Sequence, residues 1–186
     1  MDTFRWMSTV FSLILGLGVA RILLASVAIF RARGLIRIDW LPCLWALVIF
    51  IQQITLWWSL EELATTIRHW TFPNFLLLVS LVLSLFLAAA AILPTDGITS
   101  GSLREFFERD GRWGLLALAA FNAIAVVINA LFWRVDLLSP AELLNLGLVV
   151  LPVVVFAGRR RIQIAATLLY IPLGAFGVLQ LVPSSY

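Results

Sequence analysis

Lysine is absent: all thirteen basic residues are arginine. Cys43 is the only cysteine, so no intrachain disulfide can form. His69 is the only histidine, which excludes haem held by two histidines of one chain and leaves a His/Cys metal site without ligands. The ten acidic residues fall at segment ends or in loops. A carrier coupled to protons or sodium usually shows a carboxylate within a span, so that class loses support. No G-x-S-x-G, H-E-x-x-H, Walker or G-x-G-x-x-G pattern occurs. No basic run is interleaved with aromatics, and the net charge is only +3, so a nucleic-acid partner is not expected. The residues imply no particular cofactor.

What the sequence has instead is apolar mass. Of 186 residues, 62% are hydrophobic and 12% charged, and the mean hydropathy is +1.05. Soluble domains average about 45–50% apolar and about 25% charged. The excess must face something other than water, and a lipid bilayer is the obvious medium. A span needs about 20 apolar residues. Six segments qualify or nearly do, near 7–30, 40–60, 73–93, 113–133, 140–157 and 163–182. The expected fold is therefore all-α, one domain over residues 1–186, a bundle of six transmembrane helices. The first segment is too long for a signal-peptide core and lacks a small-x-small cleavage site, so it reads as a retained span.

The boundaries carry their own chemistry. Asp39 precedes Trp40-Leu41-Pro42, an N-cap followed by proline in the first turn. Thr71-Phe72-Pro73 opens the third span in the same way. Ser139-Pro140-Ala141-Glu142 is a capping box, and Gly158 closes the helix it starts. Ser102-Leu103-Arg104-Glu105 is a second box. It opens a short helix ending at Gly111, with Leu103, Phe106 and Phe107 on one side, expected to lie in the membrane interface.

Arginine counts set the orientation. Arg31, Arg33, Arg37, Arg104, Arg109, Arg112, Arg159, Arg160 and Arg161 fall on one side, against Arg5, Arg68 and Arg134 on the other. The expectation is a bacterial inner membrane with both termini outside. Seven tryptophans sit at expected span ends, as interfacial aromatics do, and only Trp45 lies deeper.

Polar residues inside the spans are the candidate site. Arg21 lies ten residues before Arg31, about 15 Å deep by helical rise, and a charge there is a functional hypothesis by default. Its stripe, Gly18, Arg21, Ala25 and Ala28, is small enough to admit another helix. The alternative is that its long stem reaches back to the interface. Ser84, Asn122 and Tyr170 lie at similar depth, and Gln52 slightly farther on. Together with Arg21 they form an expected polar centre. On the second span, Gln52, Thr55, Ser59 and Glu62 are spaced three, four and three, so they share one helix edge. That edge is either packing glue or an outer route to the centre, and Gln53 falls off it. Pro152 and Pro172 interrupt the last two spans and free the carbonyls near Leu148 and Leu168, making them hinge candidates.

Three functions follow from this pattern. The leading one is a non-enzymatic membrane protein that binds or conducts a small polar or anionic solute around Arg21, surrounded by lipid and assembled with copies of itself. The second is an accessory or scaffolding subunit docking other membrane chains through its small-residue stripes. The third is a small membrane enzyme using Glu61, Glu62 and His69.

Overall fold

A computed structural model describes residues 2–66, 71–95, 101–133 and 139–181. Among these the chain is helical: α1 (Asp2–Arg31), α2 (Trp40–Thr66), α3 (Phe72–Ile92), α4 (Leu103–Phe106), α5 (Trp113–Ile128), α6 (Pro140–Ala157) and α7 (Arg160–Leu181). A π-helical turn, Phe107–Gly111, extends α4, and another, Asn129–Trp133, extends α5. The helix starts follow the caps. Leu41 donates its N–H to Asp39 Oδ1 at 2.9 Å, Asn74 to Thr71 Oγ1 at 3.4 Å, Glu105 to Ser102 Oγ at 3.2 Å and Glu142 to Ser139 Oγ at 3.2 Å.

Among the described residues five helices are long and apolar enough to cross a membrane: Ser8–Arg31, Trp40–Leu60, Phe72–Ile92, Trp113–Phe132 and Arg160–Leu179. The chain is a helical membrane protein of several spans. The sixth expected span, α6, offers only the shorter apolar stretch Glu142–Ala157. Its 18 residues rise about 27 Å, against a hydrocarbon layer of about 30 Å.

The helices form a closed circuit, each against the next in the order α2, α1, α3, α5, α6, α7 and back to α2. Contacts fix their directions. Phe11 stacks on Phe75 with ring centroids 6.0 Å apart, and Arg21 reaches Ala90, so α1 and α3 run parallel. Asn122 meets Leu148 while Asn129 meets Glu142, so α5 and α6 run antiparallel. Arg31, Arg112 and Arg160 consequently gather at one end, which we call the arginine end.

Small residues allow the closest approaches. A Cβ at Gly114 would lie 2.9 Å from the Ala88 carbonyl and 3.1 Å from the Ile92 amide nitrogen. Gly111 is pressed against the Ile92 carbonyl in the same way, at 3.0 Å. The end of α3 is thus seated on the start of α5. Lipid is as apolar as these side chains, so packing and hydrogen bonding, not escape from water, hold such helices together.

The short α4 sets its apolar side against protein. Leu103 and Phe107 are fully buried in the protein, and the backbone beside them bonds across to the α1–α2 connection, with Leu103 N–H donating to the Arg37 carbonyl at 3.0 Å. The apolar side of this piece is turned into the bundle, leaving Arg104, Glu105, Glu108 and Arg109 exposed. Trp40, Trp57, Trp58 and Trp113 are exposed, as interfacial aromatics should be, whereas Trp45 is completely buried.

Candidate functional site

Arg21 does not join Asn122, Tyr170 or Gln52 by any hydrogen bond among the described residues. Its guanidinium donates to the Ala90 carbonyl at 3.1 Å and to the Thr95 hydroxyl, at the C-terminal end of α3. There the last carbonyls of a helix lack amide partners and carry partial negative charge. The Phe11–Phe75 stack places residue 21 of α1 level with about residue 85 of α3. The side chain therefore extends toward the arginine end by roughly five residues, about 7 Å of helical rise. The guanidinium thus sits nearer the arginine end than the Cα that carries it.

The hydroxyls of the expected layer mostly serve their own helices. Ser84 donates to the Ser80 carbonyl at 2.7 Å, Thr55 to Ile51 at 2.9 Å and Ser59 to Thr55 at 2.9 Å. The α2 edge is thus satisfied within its own helix at these two positions. The side chains of Glu61 and Glu62, and all of His69, lie outside the described residues. Gln53, which appeared isolated in the sequence, is fully buried. Its amide is packed against Gly18, where a Cβ would overlap it, while Gln52 is half-buried.

Three of the five expected centre residues do meet. The Tyr170 hydroxyl lies beside Asn122 and Gln52, although no bond of good geometry forms to either. Asn122 Nδ2 donates to the Leu148 carbonyl at 3.0 Å, in a buried contact. Leu148 is the residue whose carbonyl Pro152, lacking an N–H, cannot satisfy.

This meeting point belongs to a longer column of polar residues. On α7, Arg160, Gln163, Thr167 and Tyr170 are spaced three, four and three and share a face. At the arginine end Arg160 Nη2 lies 2.6 Å from Asp39 Oδ2 and 2.7 Å from its Oδ1. One turn on, Gln163 is buried. Next, Thr167 accepts from Trp45 Nε1 at 3.0 Å and donates to the Gln163 carbonyl at 2.7 Å. The Trp45 and Tyr170 rings lie 4.8 Å apart, tilted by 55°. From Tyr170 the column passes to Asn122. Two turns along the same face of α5, Asn129 Nδ2 donates to Glu142 Oε1 at 2.9 Å. Glu142 is 2% exposed, so this acid is terminal in its helix but buried in the bundle. Residues 160 to 170 cover about 15 Å and residues 122 to 129 about 10 Å, most of a hydrocarbon layer about 30 Å thick.

Among the described residues eight buried polar side-chain atoms have no hydrogen-bond partner. Four lie on the column: Arg160 Nη1, Gln163 Oε1, Tyr170 Oη and Glu142 Oε2. Elsewhere such atoms are a liability, since an unsatisfied polar group inside a membrane costs several kcal/mol. The arrangement offers neutral donors and acceptors at mid-depth with a charged pair at one end. No three of His, Cys, Asp and Glu come together to hold a metal among the described residues. The sequence carried a sign of the α7 face in its three-four-three spacing, and a sign of its partner in Trp45, the one tryptophan away from a span end. The chain matches no protein-family model, no curated protein and no solved structure.

Proposed function

We propose that this is a six-span membrane protein that binds or conducts a small uncharged polar solute along the column, with Gln52, Asn122 and Tyr170 as its central contacts. The observation that carries the reading is the column itself, buried over most of the bundle's depth and holding polar atoms with unused bonding capacity. An uncharged solute fits better than the anion expected around Arg21. Arg21 Nη2 is engaged at the end of α3; its Nη1 has no partner, but it stands apart from the column, whose three central side chains are neutral. In this reading α6 is the sixth span, because it packs between α5 and α7 and its ends reach the same levels as theirs. The arginine end faces the cytoplasm of a bacterial cell, both termini are outside, and the exposed apolar face of α1, with Leu13, Leu17 and Leu24, meets lipid or further copies of the chain.

The test is solute flux into vesicles containing the purified protein, followed by light scattering with water, urea and glycerol as uncharged probes and chloride as the anion. At least one uncharged probe should enter faster than into protein-free vesicles. Gln52→Leu and Tyr170→Phe should each slow it. If no probe enters or binds above the protein-free control, the accessory-subunit reading replaces this one.

A further inference from the structure

We infer that water is bound inside the column at two levels: between Arg160 Nη1 and Gln163 Oε1, and at Tyr170 Oη beside Gln52 and Asn122. A buried water is held where a site is polar, has room for it and offers two to four bonding partners. The lower level supplies the partners. Arg160 Nη1 is a donor without an acceptor and Gln163 Oε1 an acceptor without a donor. The two residues stand three apart on one face of α7, where one molecule can accept from the first and donate to the second. Gln163 is only 3% exposed, so lipid headgroups do not supply the missing bond. The upper level supplies them too. Asn122 has committed Nδ2 to Leu148, which leaves its Oδ1 as an acceptor, and the Gln52 amide and Tyr170 hydroxyl complete the set.

The other unpartnered amide shows the contrast. Gln53 lies tight against Gly18 with no space for even a Cβ, so no water is assigned there. The Trp45–Tyr170 ring pair, 4.8 Å apart, stands between the two levels. This inference does not require that any solute passes. Water at these positions would equally satisfy the polar atoms of a scaffolding subunit, so failed flux would leave it standing.

The experiment is radiolytic hydroxyl-radical labelling of the intact protein in sealed vesicles, read residue by residue by mass spectrometry. Radicals form from water where it is bound, so Tyr170, 1% exposed, should be oxidised at a rate approaching that of exposed Trp40. Phe11 and Phe107, equally buried but among apolar groups, should stay unmodified. A Tyr170 as unreactive as Phe107 would overturn the upper site. Gln163→Leu tests the lower one. If water bridges Gln163, the change strands Arg160 Nη1 and the water, and the melting temperature falls by roughly 2–4 °C per kcal/mol lost. A raised melting temperature would mean that Gln163 Oε1 was dry and merely unsatisfied, and would overturn it.

Discussion

Asn122 supplies the hydrogen bond that Pro152 withholds from Leu148. In an α-helix the Leu148 carbonyl would accept from the N–H of residue 152, and proline has none. The Asn122 amide on α5 crosses to it at 3.0 Å instead. A defect in one helix has thus become the recognition point for another. The bond also orients Asn122 within the column, with its carbonyl oxygen left for other partners.

That relationship can be tested by a rescue. Asn122→Leu should lower stability by about 1–3 kcal/mol, because a buried carbonyl loses its donor. Pro152→Ala restores an N–H beneath Leu148. The double variant should therefore be more stable than Asn122→Leu alone, and a cycle of thermal melts in detergent gives the coupling. Additive losses would show that the bond contributes nothing specific.

The seat between α3 and α5 makes a second prediction. Gly114→Ala forces a Cβ against backbone atoms of Ala88 and Ile92, which cannot swing aside as a side chain would. The expected loss is about 1–3 kcal/mol, typical of overpacking. Gly147 faces only the far end of Leu173, 4.0 Å away, so Gly147→Ala should melt as the parent does. Equal effects of the two changes would show that α3 and α5 adjust freely.

Arg21 yields a third. Arg21→Leu removes the donor to Ala90 and Thr95 and leaves the end of α3 uncompensated, so stability should fall by about 1–3 kcal/mol. Transport or binding, if assayed, should change less than in Tyr170→Phe, because Arg21 stands apart from the column. A higher melting temperature after Arg21→Leu would show that the charge was a net burden to the fold.

The helix starts were legible because they depend on local chemistry. Asp39, Thr71, Ser102 and Ser139 each cap the amide two or three residues on, within reach of reading the sequence alone. Pro152 likewise announced a free carbonyl at Leu148. The partners of Arg21 were not legible, because they depend on the stagger of α1 against α3 and on which way a long side chain extends. The burial of Gln53 was illegible for a related reason. Neighbours on a helix point about 100° apart, and which of them is buried was decided by Gly18 on α1, a contact no local pattern reveals. The Leu103–Phe107 stripe was legible, but what it packs against was not, because an apolar stripe reads the same whether it meets lipid or protein.

Orientation has a direct test. In a Cys43→Ala background, cysteines replacing Arg33 and Arg109, both exposed at the arginine end, should resist an impermeant thiol reagent applied to intact cells. A cysteine replacing Ser184 should react. The reason is the arginine bias, which favours retention of that end in the cytoplasm. Labelling at 33 and 109 with protection at 184 would reverse the topology while leaving the bundle unchanged.

The Asp39–Arg160 pair supports the last prediction. Asp39 has two duties: it caps α2 through the Leu41 N–H and pairs with Arg160 at the start of α7. Their side chains are 9% and 21% exposed, so the pair is partly shielded from water and salt, though far from fully. Asp39→Ala should cost more than Asp39→Asn, because asparagine keeps a capping oxygen while losing the charge. Exchanging the two residues, Asp39→Arg with Arg160→Asp, restores opposite charges but puts a side chain with no acceptor at the N-cap. The exchange should recover only part of the stability lost in Asp39→Ala, leaving a deficit of about 0.5–2 kcal/mol from the missing cap. Melting temperatures of the three variants in the same detergent decide it. Full recovery by the exchange would assign everything to charge pairing, and no recovery would assign everything to the cap.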